Sequence, residues 1–115
     1  HFEDVEAICT IDMLRRATIA IDLVSITNDK KLITQSNISI LADKLIEEVN
    51  VEEYDFLILP GGKAIFETHL NNANTNHVVD LFMKQKKLVC AICAAPIVLA
   101  PFLENKEFTC IPSCD

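Results

Sequence analysis

Residues 87–100 read Lys-Leu-Val-Cys-Ala-Ile-Cys-Ala-Ala-Pro-Ile-Val-Leu-Ala, and no other stretch limits the fold so sharply. An apolar run of strand length changes at Cys93 into sequence with helical character. A cysteine at a strand-to-helix turn has its sulfur near unpaired backbone N–H groups and the positive end of a helix dipole. Such surroundings favour thiolate, which is the reactive form of the side chain. Cys93 is therefore the first candidate for a functional centre.

A second run has the same shape. Tyr54-Asp55-Phe56-Leu57-Ile58-Leu59 is continuous, apolar and closed by Pro60-Gly61-Gly62. Runs of this kind suit strands buried on both faces of a parallel sheet. Around them, residues 4–17 have helical composition, with apolar residues spread over much of the circumference. Residues 19–26 form a β-branched strand ending at Thr27-Asn28-Asp29, and residues 31–35 and 38–41 make a hairpin. Residues 45–49 are a short helical turn or loop. Residues 63–70 are a helix, and a second helix follows the polar loop at 71–76, with Val78, Leu81 and Phe82 as its buried stripe. The cations of Lys84-Gln85-Lys86-Lys87 suit its C-terminal end. A strand over 88–92, a helix over 94–103 and a last strand over 107–111 complete the order. Alternation of this kind predicts one α/β domain over residues 1–115, with a mainly parallel sheet covered on both faces. Ligands gather at the carboxyl ends of such strands, where Pro60-Gly61-Gly62 and Cys93-Ala94-Ala95-Pro96 both fall.

Composition narrows the function classes. The 115 residues are 50% apolar, and 10 basic against 17 acidic residues give a net charge of −7. An acidic chain without a Lys/Arg cluster argues against nucleic-acid and anionic-membrane partners. No apolar run approaches the roughly 20 residues of a membrane span. Five cysteines, an odd number without a small loop-rich framework, suggest reduced thiols and a cytoplasmic setting. The chain opens at His1 without a Met and stops at Asp115 soon after a strand-like run, and it reads as a piece of a longer polypeptide.

Several residues compete for chemical roles. Gly61 and Gly62 follow a buried strand, and their N–H groups, with that of Ala94, suit an oxyanion hole or a cradle for oxidised sulfur; an ordinary tight turn is the plainer alternative. Cys90-x-x-Cys93 followed by Cys110-x-x-x-Cys114 approaches a zinc pattern. It lacks Gly-rich knuckles, however, and would place Cys90 within an apolar strand. A thioredoxin-like dithiol is disfavoured because the first cysteine would have to start the helix. No metal or cofactor is expected. Glu3, Asp4 and Glu6 cluster at the start of the first helix. Dipole stabilisation accounts for Glu3 and Asp4, whereas Glu6 shares a face with Cys9 and Met13 and is a candidate for a buried carboxyl near the thiol. His1, His69 and His77 are expected at the surface.

Four motifs then fall into a known order: Phe2-Glu3-Asp4-Val5-Glu6, Asp12-Met13-Leu14-Arg15-Arg16-Ala17, Tyr54-Asp55 through Leu59-Pro60-Gly61-Gly62, and Ala91-Ile92-Cys93-Ala94-Ala95-Pro96. Together they resemble the DJ-one/ThiJ/PfpI superfamily. Ala94, where PfpI-type proteases usually carry His, is similar to the DJ-one/ThiJ branch. The resemblance implies a flavodoxin-like three-layer sandwich that dimerises partly through the first helix. By motif it makes Cys93 the reactive cysteine, Glu6 the protonated acid that hydrogen-bonds it, and the backbone of Gly62 and Ala94 the lining of the site. Implied activities are glyoxalase-type conversion of α-oxoaldehydes such as methylglyoxal, deglycation, redox sensing through cysteine sulfinate, and chaperone behaviour. The chain departs from the family pattern in two respects. An initial strand with a Gly-containing loop and the later strands and helices are missing, so the fold is expected to be incomplete at both ends. Ile111 also stands where many members carry His before the proline matched by Pro112, which weakens the case for acid–base turnover more than the case for cysteine oxidation.

Overall fold

The computed structural model describes residues 1–112. Its centre is a parallel strand pair, β5 (Phe56–Leu59) and β6 (Leu88–Ala91), with Phe56 opposite Leu88 and Leu59 opposite Ala91. Parallel neighbours require a long crossover, supplied here by a π-helical turn (Ile65–His69) and a helix (Ala73–Lys84). The helix starts sharply because the Asn72 side-chain oxygen accepts from the N–H groups of Asn74 and Thr75, at 2.9 and 3.1 Å. It buries Thr75, Val79 and Phe82. The inward stripe thus runs at i, i+4 and i+7 from Thr75, and of the expected Val78, Leu81 and Phe82 only Phe82 is fully buried.

Before this unit, a π-helical turn (Val5–Cys9) continues directly into an α-helix (Thr10–Arg16), and the two together are called α1. The expected strand over 19–26 shortens to β1 (Val24–Ser25), which pairs in parallel with β4 (Lys44–Leu45). The carboxylate of Asp43, rather than a strand partner, accepts from the N–H of Leu23 at 2.7 Å. The hairpin forms as expected from β2 (Lys31–Ile33) and β3 (Ser39–Leu41), in antiparallel register. Among the described residues, two of the three strand pairs are parallel. The helix over 94–103 forms as a 3-10 helix (Ala95–Phe102). Pro96 starts it, and Pro101 removes an N–H from any longer-range helical ladder.

The strand expected over 107–111 is absent, and that segment is irregular. Its recorded backbone tie is a hydrogen bond from the Ile111 N–H to the Cys93 carbonyl at 3.2 Å, too little to define a ladder. His69 is likewise not the surface residue expected. It is half-buried, its Nδ1 lies 3.1 Å from the Thr75 hydroxyl, and burial pushes its pKa down.

Two apolar clusters form the core. The larger joins Leu59, Ile65, Val79, Ala94, Ala95, Val98 and Leu99, with Cys93 packed against it. The smaller joins Phe2, Ala7 and Ala64. A polar group ties the segment before β1 to β4 and β5: the Tyr54 hydroxyl donates to Asp22 at 2.7 Å and accepts from Lys44 at 2.9 Å. The Tyr54 hydroxyl and the Lys44 ammonium hold the Asp22 carboxyl below the usual range, and Tyr54 and Asp22 in turn push the Lys44 pKa up.

Candidate functional site

The strand register builds the site. With Leu59 level with Ala91 and the Ile92 N–H bonded to the Leu59 carbonyl at 3.3 Å, the two chains leave the sheet side by side. Two residues further on, Gly61 and Cys93 face one another. A Cβ placed on Gly61 would lie 2.7 Å from the Cys93 Cβ and 3.1 Å from its Sγ. The same point is 2.6 Å from Glu6 Oε2. The Cys93 thiol and the Glu6 carboxylate therefore flank a single space that only glycine leaves open.

Glu6 is held there from both sides. Its Oε2 accepts the Gly61 N–H at 2.7 Å, while its own N–H donates to the Glu3 carboxylate at 2.8 Å. Glu3 thus acts at the helix start, as its position in the chain suggested. Glu6 lies within the π turn of α1, and the Thr10 hydroxyl donates to its carbonyl at 2.5 Å. Wider turns of this kind concentrate at functional sites. Phe2 bridges Gly62, and the Glu3 N–H bonds the Gly61 carbonyl at 3.0 Å, so the start of α1 is laced to the glycine loop.

Cys93 itself has φ +61°. A non-glycine residue in the left-handed region costs roughly 1–2 kcal/mol, and such strain persists only where the surrounding structure imposes it. Here the sharp turn from β6 into the 3-10 helix imposes it. Cys93→Gly should accordingly be more stable than Cys93→Ala by about 1 kcal/mol in denaturant unfolding. Equal stability of the two variants would contradict a strained elbow.

All four candidate residues converge at this end of the sheet. Gly62, at φ +96°, and Ala94, at the start of the 3-10 helix, have N–H groups without an acceptor among the described residues. Of the glycine pair, the N–H of Gly61 is the one already taken, by Glu6. Cys9 and Cys90 stand apart, Cys9 exposed on α1 and Cys90 half-buried within β6, and both are free thiols, as is Cys93. Cys114 of the zinc-like spacing lies outside the described residues. His1 pairs with Glu67 at 2.7 Å.

Sequence reasoning missed the spatial role of Gly61. A signal was present: the chain contains only two glycines, and they are adjacent. It also missed the Asp22–Lys44–Tyr54 cluster, whose members are too far apart in sequence for spacing to reveal.

Comparison with known proteins bears on the family and the fold. Drosophila melanogaster protein dj-1beta is 32% identical over 120 residues, which cover 96% of this chain and 60% of that protein. Deglycase PfpI of Pyrococcus furiosus is 33% identical over 100 residues, covering 86% of this chain and 58% of that protein. Oxidised DJ-1 of Toxoplasma gondii superposes with a TM-score of 0.86 at 30% identity, covering 96% of this chain and 62% of that one. The chain thus spans about three-fifths of the length of these relatives and has their flavodoxin-like α/β fold. The DJ-1/PfpI family profile matches residues 1–115 throughout, and the chain belongs to that family.

Proposed function

We propose that the protein is a cysteine-dependent, cofactor-independent enzyme of the glyoxalase or deglycase type, acting on α-oxoaldehydes such as methylglyoxal. The observation that carries this reading is the placement of the Cys93 thiol and the Glu6 carboxylate on either side of Gly61. In the proposed reaction the Cys93 sulfur bonds to the aldehyde carbon, and the carbonyl oxygen gains a proton. The N–H groups of Gly62 and Ala94 stabilise the developing oxyanion. Glu6 then takes the proton from that carbon and returns a proton to the neighbouring carbon, leaving a thioester on Cys93. Water cleaves the carbon–sulfur bond, releasing lactate and restoring the thiol. The sum is methylglyoxal plus water to lactate, with no external oxidant or reductant. The identity with a deglycase from Pyrococcus furiosus supports the same class of carbonyl substrate. Incubation with methylglyoxal tests the reading. Lactate that forms with the parent protein and not with Cys93→Ser supports it, and no Cys93-dependent lactate overturns it.

A second reading has its own support in the relative solved in an oxidised state. In it Cys93 reacts with two equivalents of peroxide, each losing one oxygen to sulfur and leaving as water, and ends as sulfinate held by the same donors. Mass spectrometry after mild peroxide should then show +32 Da, two oxygens, on Cys93. Oxidation spread over all five cysteines counts against it.

The proposed assembly is a homodimer in a reducing cytoplasm. Helix α1 leaves Val5, Ile8 and Met13 exposed, at 69%, 41% and 60%. Sedimentation should show a dimer that the Val5→Asp/Met13→Asp double variant converts to monomer. A monomeric parent protein would contradict the assembly.

A further inference from the structure

Side chains reach the backbone of Glu6 from both directions along α1. The Glu3 carboxylate accepts its N–H at 2.8 Å, and the Thr10 hydroxyl donates to its carbonyl at 2.5 Å. The first bond is ordinary, because the opening N–H groups of a helix have no ladder partner and side chains there commonly accept from them. The second is not.

In a regular α-helix a carbonyl accepts from the N–H four residues further on. For Glu6 that donor would be the Thr10 N–H, which bonds instead to the Ala7 carbonyl, three residues back. Thr10 thus reaches Glu6 with its hydroxyl in place of its N–H. Threonine suits the exchange, since its Oγ1 can bond a carbonyl three or four residues earlier, and such back-bonding bends helices. The exchange falls at the end of the π turn Val5–Cys9, which is wider than an α turn. How far that turn opens sets where the Glu6 side chain points. The carboxylate ends with Oε2 on the Gly61 N–H at 2.7 Å, in the space beside Cys93.

We infer that Thr10 is a positioning residue for Glu6: its hydroxyl, standing in for its N–H, holds the wide turn that carries the carboxylate to Gly61 and Cys93. The inference rests on the reaction proposed above for the task of Glu6, and on these hydrogen bonds for its place. Without the hydroxyl, the Glu6 carbonyl regains a donor when the N–H at position 10 returns to it. That return closes the turn to α geometry and draws the carboxylate off the Gly61 N–H. A misplacement of about 1 Å can cost roughly 10²-fold in rate.

Thr10→Val keeps the shape of the side chain and replaces the hydroxyl with a methyl, whereas Thr10→Ser keeps the hydroxyl. Methylglyoxal turnover and amide exchange are measured for the parent, both variants, and Thr10→Val combined with Glu6→Gln. The inference predicts that Thr10→Val lowers kcat roughly tenfold or more with KM within about threefold, and that an adduct accumulates on Cys93. The Gly61 amide should exchange roughly tenfold faster relative to that of Val79, whose burial in the crossover helix makes it the control for global stability. Thr10→Ser should match the parent in both readouts, and in the Glu6→Gln background Thr10→Val should cost nothing further. Should Thr10→Val fail to fold, Thr10→Ala removes the same hydroxyl with a better helix former and must give the same results. Parent-like Gly61 exchange or parent-like kcat without the hydroxyl would overturn the inference, as would equal losses in Thr10→Ser and Thr10→Val. A parent protein that forms no lactate refutes the proposed reaction alone, and the Gly61 amide then decides the placement by itself.

Discussion

Gly61→Ala should lower the unfolding free energy by about 2–3 kcal/mol and push the Glu6 carboxylate out of the space beside Cys93. The added methyl would stand 2.6 Å from Glu6 Oε2 and 2.7 Å from the Cys93 Cβ. The carboxylate is the end of a flexible side chain and can swing away, at the cost of its hydrogen bond to the Gly61 N–H. The Cys93 Cβ cannot, because it is fixed to a backbone already in the left-handed region. Overpacking and one lost charge-assisted hydrogen bond together give the stated magnitude. The arrangement also predicts non-additivity. Combining Gly61→Ala with Glu6→Ala removes one of the two collisions, so the double variant should be less destabilised than the sum of the singles by at least 0.5 kcal/mol, the range expected for residues in contact. Denaturant unfolding of the four proteins measures this directly. Strict additivity would mean that Glu6 does not occupy the position described. Gly62→Ala differs in kind, because its methyl would meet the backbone of Phe2 and Glu3 and detach the start of α1 from the loop.

In the proposed reaction, Cys93→Ser should abolish methylglyoxal turnover, whereas Glu6→Gln should reduce it roughly 10²–10⁴-fold while leaving some covalent chemistry intact. The two losses differ because the roles differ. Without sulfur no thioester can form, and a serine hydroxyl is a far weaker nucleophile than a thiol at neutral pH. Without the carboxyl, addition to the aldehyde still proceeds with Gly62 and Ala94 as donors, but the proton transfer between adjacent carbons loses its carrier. Glutamine still accepts the Gly61 N–H, which separates proton transfer from positioning. Mass spectrometry of Glu6→Gln with methylglyoxal should therefore detect an adduct on Cys93 that accumulates, where the parent protein turns it over. Wild-type lactate formation by Glu6→Gln would remove Glu6 from the mechanism.

The end of the sheet was legible in the sequence for a physical reason. Buried parallel strands are near-continuous apolar runs, and the residues that close them, Pro60-Gly61-Gly62 and Cys93-Ala94, mark where the chain leaves the sheet. Once two such strands pair in parallel, their closing residues meet. Local sequence determined less where tertiary partners decide the outcome. Residues 107–111 have strand composition, yet no ladder holds them. Residues 19–26 read as a full strand, but only Val24–Ser25 find a partner. β-propensity describes a fit to neighbours, and without the neighbours it gives only extended chain. The inward face of the second long helix was misplaced by one residue at Val78 because its start depends on the Asn72 cap. His69 was misjudged because its ring packs toward Thr75 in the following helix, a partner its own segment does not reveal.

The central claim is that Cys93 is singled out by its elbow and not by exposure. Cysteine positions allow that to be tested by competition within one molecule, since Cys9 is exposed on α1 whereas Cys93 is half-buried. Limiting iodoacetamide at neutral pH, quenched over time and mapped by mass spectrometry, gives the relative alkylation rates of Cys9, Cys90 and Cys93. Alkylation proceeds through thiolate, so the account predicts that Cys93 is modified at least tenfold faster than exposed Cys9. Modification of Cys9 first, with Cys93 no faster than Cys90, would contradict it.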